Sequence, residues 1–581
     1  MKKTIAISII TSTMLFSATV NNLTTDQVNK TQNSTINNAT ATQGDTTIIG
    51  DAQVNDLTIT QKGDDDTTGN LIDGVTINGA EENKDLNITQ GSTKVSNAKV
   101  TNVTIDSDST INGGTVDGNG KISQGETSVG GSNSTLENVD IKSTNTMTNL
   151  DIDGNTERPV LVTQGTVSVS GDANATDSSD AQNVDITSVN EITSNIKIDS
   201  STVRQSYTSI DGEGTTASGL NINQTNTLSG SSSIINNSTT LQGITKIDTG
   251  ADVNGLTTNV TNTINSLTSD NSTTVQNHIN IHSNSQVTNM TVNSGGTNNN
   301  KIDTVSTTDS TISQNTYNIT NSSDVTGLTG THDNIISNST INNTHIGQDI
   351  VDINGSTISN SATISSTNKI DNINVDGSSN IHQAVTVINN STVTSPSITS
   401  DNEISNVKLN STEVTQNYTS INSGTVNGLT LNNTNKVTNT DSTSKDMNSS
   451  HIIQSEFILS NSNLGTLTQD TENSITDTQV VSSTIEQARI AIGNSEVENI
   501  HMGKTTDITN DITSTEITDS TVSQNGLKIC NSTVNGLDVD QDNDISNSTI
   551  SSSNLTQGNI NIEGDGESCV LARVEHSHKN Y

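Results

Sequence analysis

Aliphatic residues are scattered singly along the chain. They alternate with Thr, Ser and Asn over three to five residues, and each run stops at an N-G, D-G, G-G or S-N pair. A period of two marks a strand with one buried face, and those pairs mark tight turns. Beyond the first residues no stretch sustains a 3.6-residue apolar period, so no further helix is predicted. The β-branched residues Ile, Val and Thr suit a pleated surface.

The short strands belong to a repeat. Glutamines stand at Gln43, Gln61, Gln90, Gln124, Gln164, Gln205, Gln242, Gln276, Gln314, Gln348, Gln383, Gln416, Gln454, Gln487, Gln524 and Gln557, and after the first two most gaps are 33 to 41 residues. The next residue is Gly, Asn, Ala or Ser, except at Lys62 and Asp349, and five residues on stands an aliphatic, except at Asp66. A second signature, V-x-[GN]-L, follows at Val253–Leu256, Val426–Leu429 and Val534–Leu537. Ile545, Ile550 and Leu555 then lead into Gln557 by steps of five. Residues 190–210 and 402–421 are near copies.

A strand this short buries nothing alone. Stacking like turns about 4.8 Å apart pairs the backbone and builds a continuous narrow core. The expected fold is therefore all-β: an elongated parallel β-solenoid, or β-helix, of about 16 imperfect repeats of roughly 33–41 residues. The repeat glutamines, Gln205 to Gln557 above all, should form an amide ladder along the axis. Tyr207, Tyr317, Tyr418 and Phe457 each fall two or three residues after a repeat Gln and read as fillers at one corner. Few aliphatics serve each repeat, so two rungs per repeat are expected, giving about 30 rungs and a rod on the order of 150 Å. The expected divisions are a signal peptide at 1–20, a lead-in at 21–40, the solenoid at 41–562 and a cap or tail at 563–581.

Composition narrows the function. Aromatics are 1% of the 581 residues and hydrophobic residues 27%, too few for several conventional cores. The net charge of -40 repels phosphate backbones, so nucleic acid is excluded as a partner. At the N-terminus Met1-Lys2-Lys3, the short apolar run Thr4–Phe16 and the small residues Ser17, Ala18 and Thr19 read as a bacterial-type export signal. No other segment approaches membrane-span length. The expectation is a secreted or cell-surface protein with no span in its mature chain, relying on a separate secretion or anchoring system.

Candidate chemistry is sparse. Asp538, Asp540, Asp542 and Asp544 alternate, so a strand would put them on one face; they are a weak Ca²⁺ candidate, and a solvated acidic face is the simpler reading. Residues 115–126 imitate an EF-hand loop but begin on Thr115 and lack flanking helices. His278 and His282 are four apart, a spacing that matters on a helix and not on a strand. His576, His578 and Cys569 fall short of a four-ligand zinc set. Cys530 and Cys569 could close a single disulfide across the last repeats, or stay as thiols. No nucleophile elbow, zinc-protease or phosphate-loop motif occurs, so neither an enzyme nor a cofactor is expected.

Runs such as Ser339-Thr340-Ile341, Ser548-Thr549-Ile550 and Ser553–Gln557 look like pentapeptide and hexapeptide solenoid units, without their strict phase. The Gln followed by Asn or Gly at a fixed place resembles secreted functional amyloids of the curlin and Fap type. The long Ser/Thr/Asn solenoid after a signal resembles the passengers of bacterial adhesins. These resemblances imply an exported structural or adhesive rod whose partners are a host or neighbouring-cell surface, a matrix, or other copies of itself. An amyloid-type fibre subunit of a biofilm matrix is the alternative class, and an ice-binding protein a lower-ranked one, since its ranks of Thr would be irregular. The charged, non-repetitive C-terminal region is expected to cap or attach the rod.

Overall fold

A computed structural model describes residues 19–563, apart from short segments of which the longer are 62–69, 80–85, 155–159, 171–179, 293–299, 440–445 and 503–507. Residues 1–18 of the expected signal, the Asp64–Asp66 break, Cys569, His576 and His578 lie outside the described residues, whereas residues 19 and 20 already belong to the strand Thr19–Asp26. Every described element is a strand, and every pairing is parallel, in a sheet of 19 strands and a sheet of 32. The chain is an all-β, parallel-stacked β-solenoid.

One repeat makes one rung. Gln205 pairs with Gln242, Gln242 with Gln276 and Gln276 with Gln314, so a whole repeat separates axial neighbours. Each rung passes through an arm of the larger sheet, such as Thr216–Asn236, then through a strand of the smaller one, such as Thr239–Asp248. Fifteen glutamines stack this way among the described residues, from Gln43 to Gln557. Gln61 is not among them: it sits in the other sheet opposite Ser107, which is why its following residues broke the pattern. The expected two rungs per repeat are thus corrected to one. Fifteen rungs span about 70 Å, half the expected length.

The reason lies in the cross-section. Aliphatic side chains need not fill a rung, because polar ones fill its middle. One column of buried aliphatics contains Ile210, Ile247, Leu220 and Leu256; a second contains Val203, Leu228, Ile264 and Ile346. Between them run the buried glutamines and, facing them from the larger sheet, a row of buried asparagines that includes Asn226, Asn262, Asn300 and Asn334.

The residue after each stacked Gln explains the small-residue rule. It lies in the left-handed region in every rung, from Gly44 through Ser206, Asn277, Asp349 and Ala384 to Gly558. Gly, Asn and Asp tolerate that conformation best. The residue drops out of the pairing, so side chains after it resume alternation displaced by one. The four aromatics consequently do not share a corner. Tyr317 and Phe457 are in the core, whereas Tyr207 and Tyr418 lie two residues after their Gln, on the outer face. Tyr317 fits because Gly330 stands across from it; a Cβ built there would meet its hydroxyl.

The Asn/Ser–Ser–Thr–Ile pattern is a rung corner. Asn237, Asn271 and Asp309 have positive φ. The following Ser238, Ser272 and Ser310 each donate Oγ to the carbonyl two residues back, and each accepts a backbone N–H from the preceding rung.

Deleting residues 357–391 joins Ser356 to Thr392, the axial partner of Thr357, and removes one whole rung in phase. This variant should keep its β circular-dichroism spectrum and a cooperative melt. Deleting only 357–373, in phase under two rungs per repeat, should collapse both; the opposite ranking would refute the one-rung register.

Candidate functional site

The expected ladder is present and unbroken. The Nε2 of each glutamine donates to the Oε1 of its counterpart one rung earlier, at 2.6–2.9 Å, from Gln557 back to Gln43. In most rungs the second proton of Nε2 reaches a main-chain carbonyl across the core, as in Gln205 to Asn190, Gln314 to Asn300 and Gln348 to Asn334. In those rungs the second acceptor fixes which end of the amide is nitrogen.

A second ladder runs beside it. Asn145, Asn190, Asn226, Asn262, Asn300, Asn334, Asn368, Asn402, Asn435, Asn473, Asn510 and Asn543 bond in sequence at 2.7–3.0 Å. Here each Nδ2 donates to the Oδ1 of the rung that follows, the opposite sense to the glutamines. Sequence reasoning missed this ladder because Asn is everywhere in the chain. One signal marks it: each of these asparagines has Ile, Leu, Val or Met two residues on.

Polar side chains thicken the seam between the ladders. Asn277 donates to Asn315, and Asn315 to Asp349 at 2.7 Å; Ser366 donates to the other carboxyl oxygen of Asp349. Nearby His332 meets the Tyr317 hydroxyl and lies edge-on to its ring, with centroids 5.5 Å apart. Burial pushes Asp349 up to about 6, against the pull of its bonds from Ser366 and Asn315. Burial also pushes His332 down to about 3 and His278 down to about 4, so both are neutral imidazoles at pH 7.

Two further features lie away from the ladders, and the first of them is buried. The outer face of the smaller sheet carries an apolar strip of Ile350, Val385, Tyr418, Ile458 and Ala491. In line with it, Glu456 meets Arg489 at 2.9 Å, its carboxyl pushed up to about 7 by burial despite that guanidinium. Beside them His451 and Glu486 are 3.8 Å apart; their contact raises the imidazole's pKa and lowers the carboxyl's. The second feature is a polar trough of about 410 Å³ across four rungs. It is lined by aligned triplets 365–367, 399–401, 432–434 and 470–472, all Ser, Thr, Asn, Asp or Glu.

The four alternating aspartates do share one face. Asp538, Asp540, Asp542 and Asp544 are all exposed, and Asp544 lies over Asp511, whose carboxyl is raised by burial and by its acidic neighbours. Residues 115–126 follow two strands instead of wrapping a loop, and Glu126 pairs with Lys121 at 2.8 Å. His278 is buried, whereas His282 meets Asp248 at 2.8 Å. Among the described residues no group of three or more His, Cys, Asp or Glu is placed to hold a metal ion. Cys530 is disulfide-bonded, and the other cysteine of the chain is Cys569. No known protein family matches the chain, no curated protein resembles it, and no solved structure does.

Replacing Gln383 by Leu would leave the Oε1 of Gln348 in its core face and the Nε2 of Gln416 without their axial partner. The expected cost is about 2–4 kcal/mol, read from denaturant unfolding; an unchanged midpoint would show the ladder to be ornamental. Asp349→Asn should stabilise, because the amide can donate to Ser366 and still accept from Asn315. The folded carboxyl's pKa of about 6 lies above its ordinary 3.8. Its proton therefore stabilises the fold fully below 3.8, and that contribution is lost as pH rises through about 6. At pH 8 the variant should gain up to about 3 kcal/mol, and at pH 3.5 almost nothing. His278 and His332 act in the opposite direction, so the wild-type-minus-variant difference is the quantity to follow. A difference that does not change with pH would refute the assignment.

Proposed function

We propose that the protein is an exported structural and adhesive rod that presents repeated Ser, Thr and Asn columns for attachment to a surface or for building a matrix. The observation that carries this reading is axial alignment: both amide ladders keep outward residues of successive rungs in register, so one weak polar contact is repeated along the rod. The trough of aligned triplets shows what such an array offers, hydroxyl and amide groups with carboxylates at Asp401, Asp470 and Glu472. The export signal read at Met1–Thr19 supports placement outside the cell, and the net charge of -40 supports solubility there. Repetition supplies affinity by multivalency, without a deep pocket.

The test uses rods of different length. Removing one, two or three whole rungs in phase should lower retention on a polar surface such as cellulose or hydroxylated silica stepwise, steeply with length. Full-length rods that fail to bind would overturn the adhesive role. Loss of all binding on removing any single rung would point instead to one discrete site. Recovery of the protein mainly from cytoplasm would overturn export.

A further inference from the structure

The asparagine column starts before its ladder does. Asn29 donates to Asn70 at 2.9 Å, and in register the column then runs Asn70, Ser109, Asn145. Among the described rungs, Ser109 is the one place in the column without an asparagine. Ser107, Ser109 and Asn145 are all buried. The Oγ of each serine and the Oδ1 of Asn145 have no hydrogen-bond partner within the protein. Orphaned groups of this kind are rare in a folded interior, and three of them meet at one break in the column.

The neighbouring rungs show which group is missing. Asn145 donates through Nδ2 to Ser143, two residues back, at 3.2 Å and to Asn190, one rung on, at 2.8 Å. Asn190 repeats the pattern with Ser188 at 3.2 Å and Asn226 at 2.9 Å. By the same geometry an asparagine at 109 would put its nitrogen between Ser107 Oγ and Asn145 Oδ1, and these are two of the three orphaned atoms. The third is the Ser109 hydroxyl that stands in its place. The room is there as well. A Cβ built at Gly125 would meet Asn145 and Ser143, and one at Gly165 would meet Asn190 and Ser188, so the left-handed glycine opposite clears the space that an asparagine needs. Gly91 stands against Ser109 and Ser107 in the same way. That clearance suits an amide, a serine fills it only in part, and the remainder is about the size of one water.

We infer that Ser107, Ser109 and Asn145 form a binding site for one buried water, which takes the place of a ladder amide. Its two protons go to Ser107 Oγ and Asn145 Oδ1, and its oxygen accepts from the Ser109 hydroxyl. Three bonds are the usual complement of an internal water. Its two donated bonds are those of the asparagine nitrogen, so the sense of the column passes through the break unchanged. An ammonium or metal ion would set an unpaired charge among three neutral ligands, at far greater cost. The site goes beyond the adhesive reading and does not depend on it: a rod that binds no surface would still hold this water.

Two measurements on the mature chain test this. A high-resolution crystal structure of the wild type should show an ordered oxygen within about 2.6–3.2 Å of all three atoms. Density there that belongs to a protein side chain overturns the proposal, as do serines turned onto main-chain carbonyls with no ordered oxygen between them. In solution, oxygen-17 relaxation dispersion counts long-lived internal waters. Ser109→Asn supplies the amide itself, so it should hold one such water fewer than wild type and unfold at a higher denaturant concentration. An unchanged count refutes the assignment. Ser109→Ala keeps both acceptors and removes the donor, so it should shorten the water's residence time by up to about tenfold, the worth of one hydrogen bond. A residence time that does not move counts against the site equally. Should Ser109→Asn not fold, the wild-type density and Ser109→Ala decide the same question.

Discussion

The interaction on which the whole structure depends is the axial amide-to-amide hydrogen bond. A buried primary amide has two donors and an acceptor to satisfy, and an unmade bond costs about 1–3 kcal/mol. An identical amide one rung away satisfies it at the strand spacing. Once one glutamine is so placed, the next must fall at the same point of its rung. The seam thereby enforces register through loops of varying length: Gln124 to Gln164 spans 40 residues and Gln383 to Gln416 spans 33, yet both pairs bond at 2.8–2.9 Å. Extra residues go to corners, as where the register shifts between Ser229 and Ser233.

That constraint also resolves how a chain with 27% hydrophobic residues encloses so wide a rung. A single oily core of this perimeter would need the large aromatics the sequence lacks. The seam divides the interior into two narrow aliphatic columns, each filled by Ile, Val and Leu. Where a large side chain does enter, as Tyr317, a glycine opposite makes room and His332 satisfies the hydroxyl. The buried amides of the two ladders bond along the axis and, in most rungs, across it, which is the condition for a buried network to stabilise, whereas the hydroxyls of Ser107, Ser109, Thr240 and Thr258 are buried without a partner.

Much of this was legible in the sequence, and the failures have a physical cause. The glutamine column, the left-handed residue after it and the aliphatic at plus five are rigid requirements of one strand, so they survive as a pattern of spacing. The asparagine column was invisible because its distance from the glutamine varies: Asn334 precedes Gln348 by 14 residues, whereas Asn435 precedes Gln454 by 19. The rung count failed for a related reason. Counting aliphatics assumes that only apolar groups can fill a core, and here Ser366, Asn368 and Gln383 do so. Tyr207 and Tyr317 looked equivalent at plus two and plus three, but a one-residue offset on a strand exchanges the two faces.

The opposed senses of the two ladders have a consequence for the rod as a whole. A column of parallel amide dipoles would build a partial charge at each end, as aligned peptide units do in a helix. Glutamine nitrogens point toward the N-terminal end and asparagine nitrogens toward the C-terminal end, so the two columns largely cancel. The Gln Nε2 bonds to the main chain at the asparagines, as in Gln383 to Asn368 and Gln416 to Asn402, tie the columns together and fix the orientation of the glutamine amides. Flipping one amide would break its axial bonds and its cross-core bond together, so polarity, once set by one rung, is imposed on the next. The rod can therefore lengthen rung by rung without accumulating an end charge. Each new rung meets one donor and one acceptor, which is the local rule that makes an array of this length self-consistent.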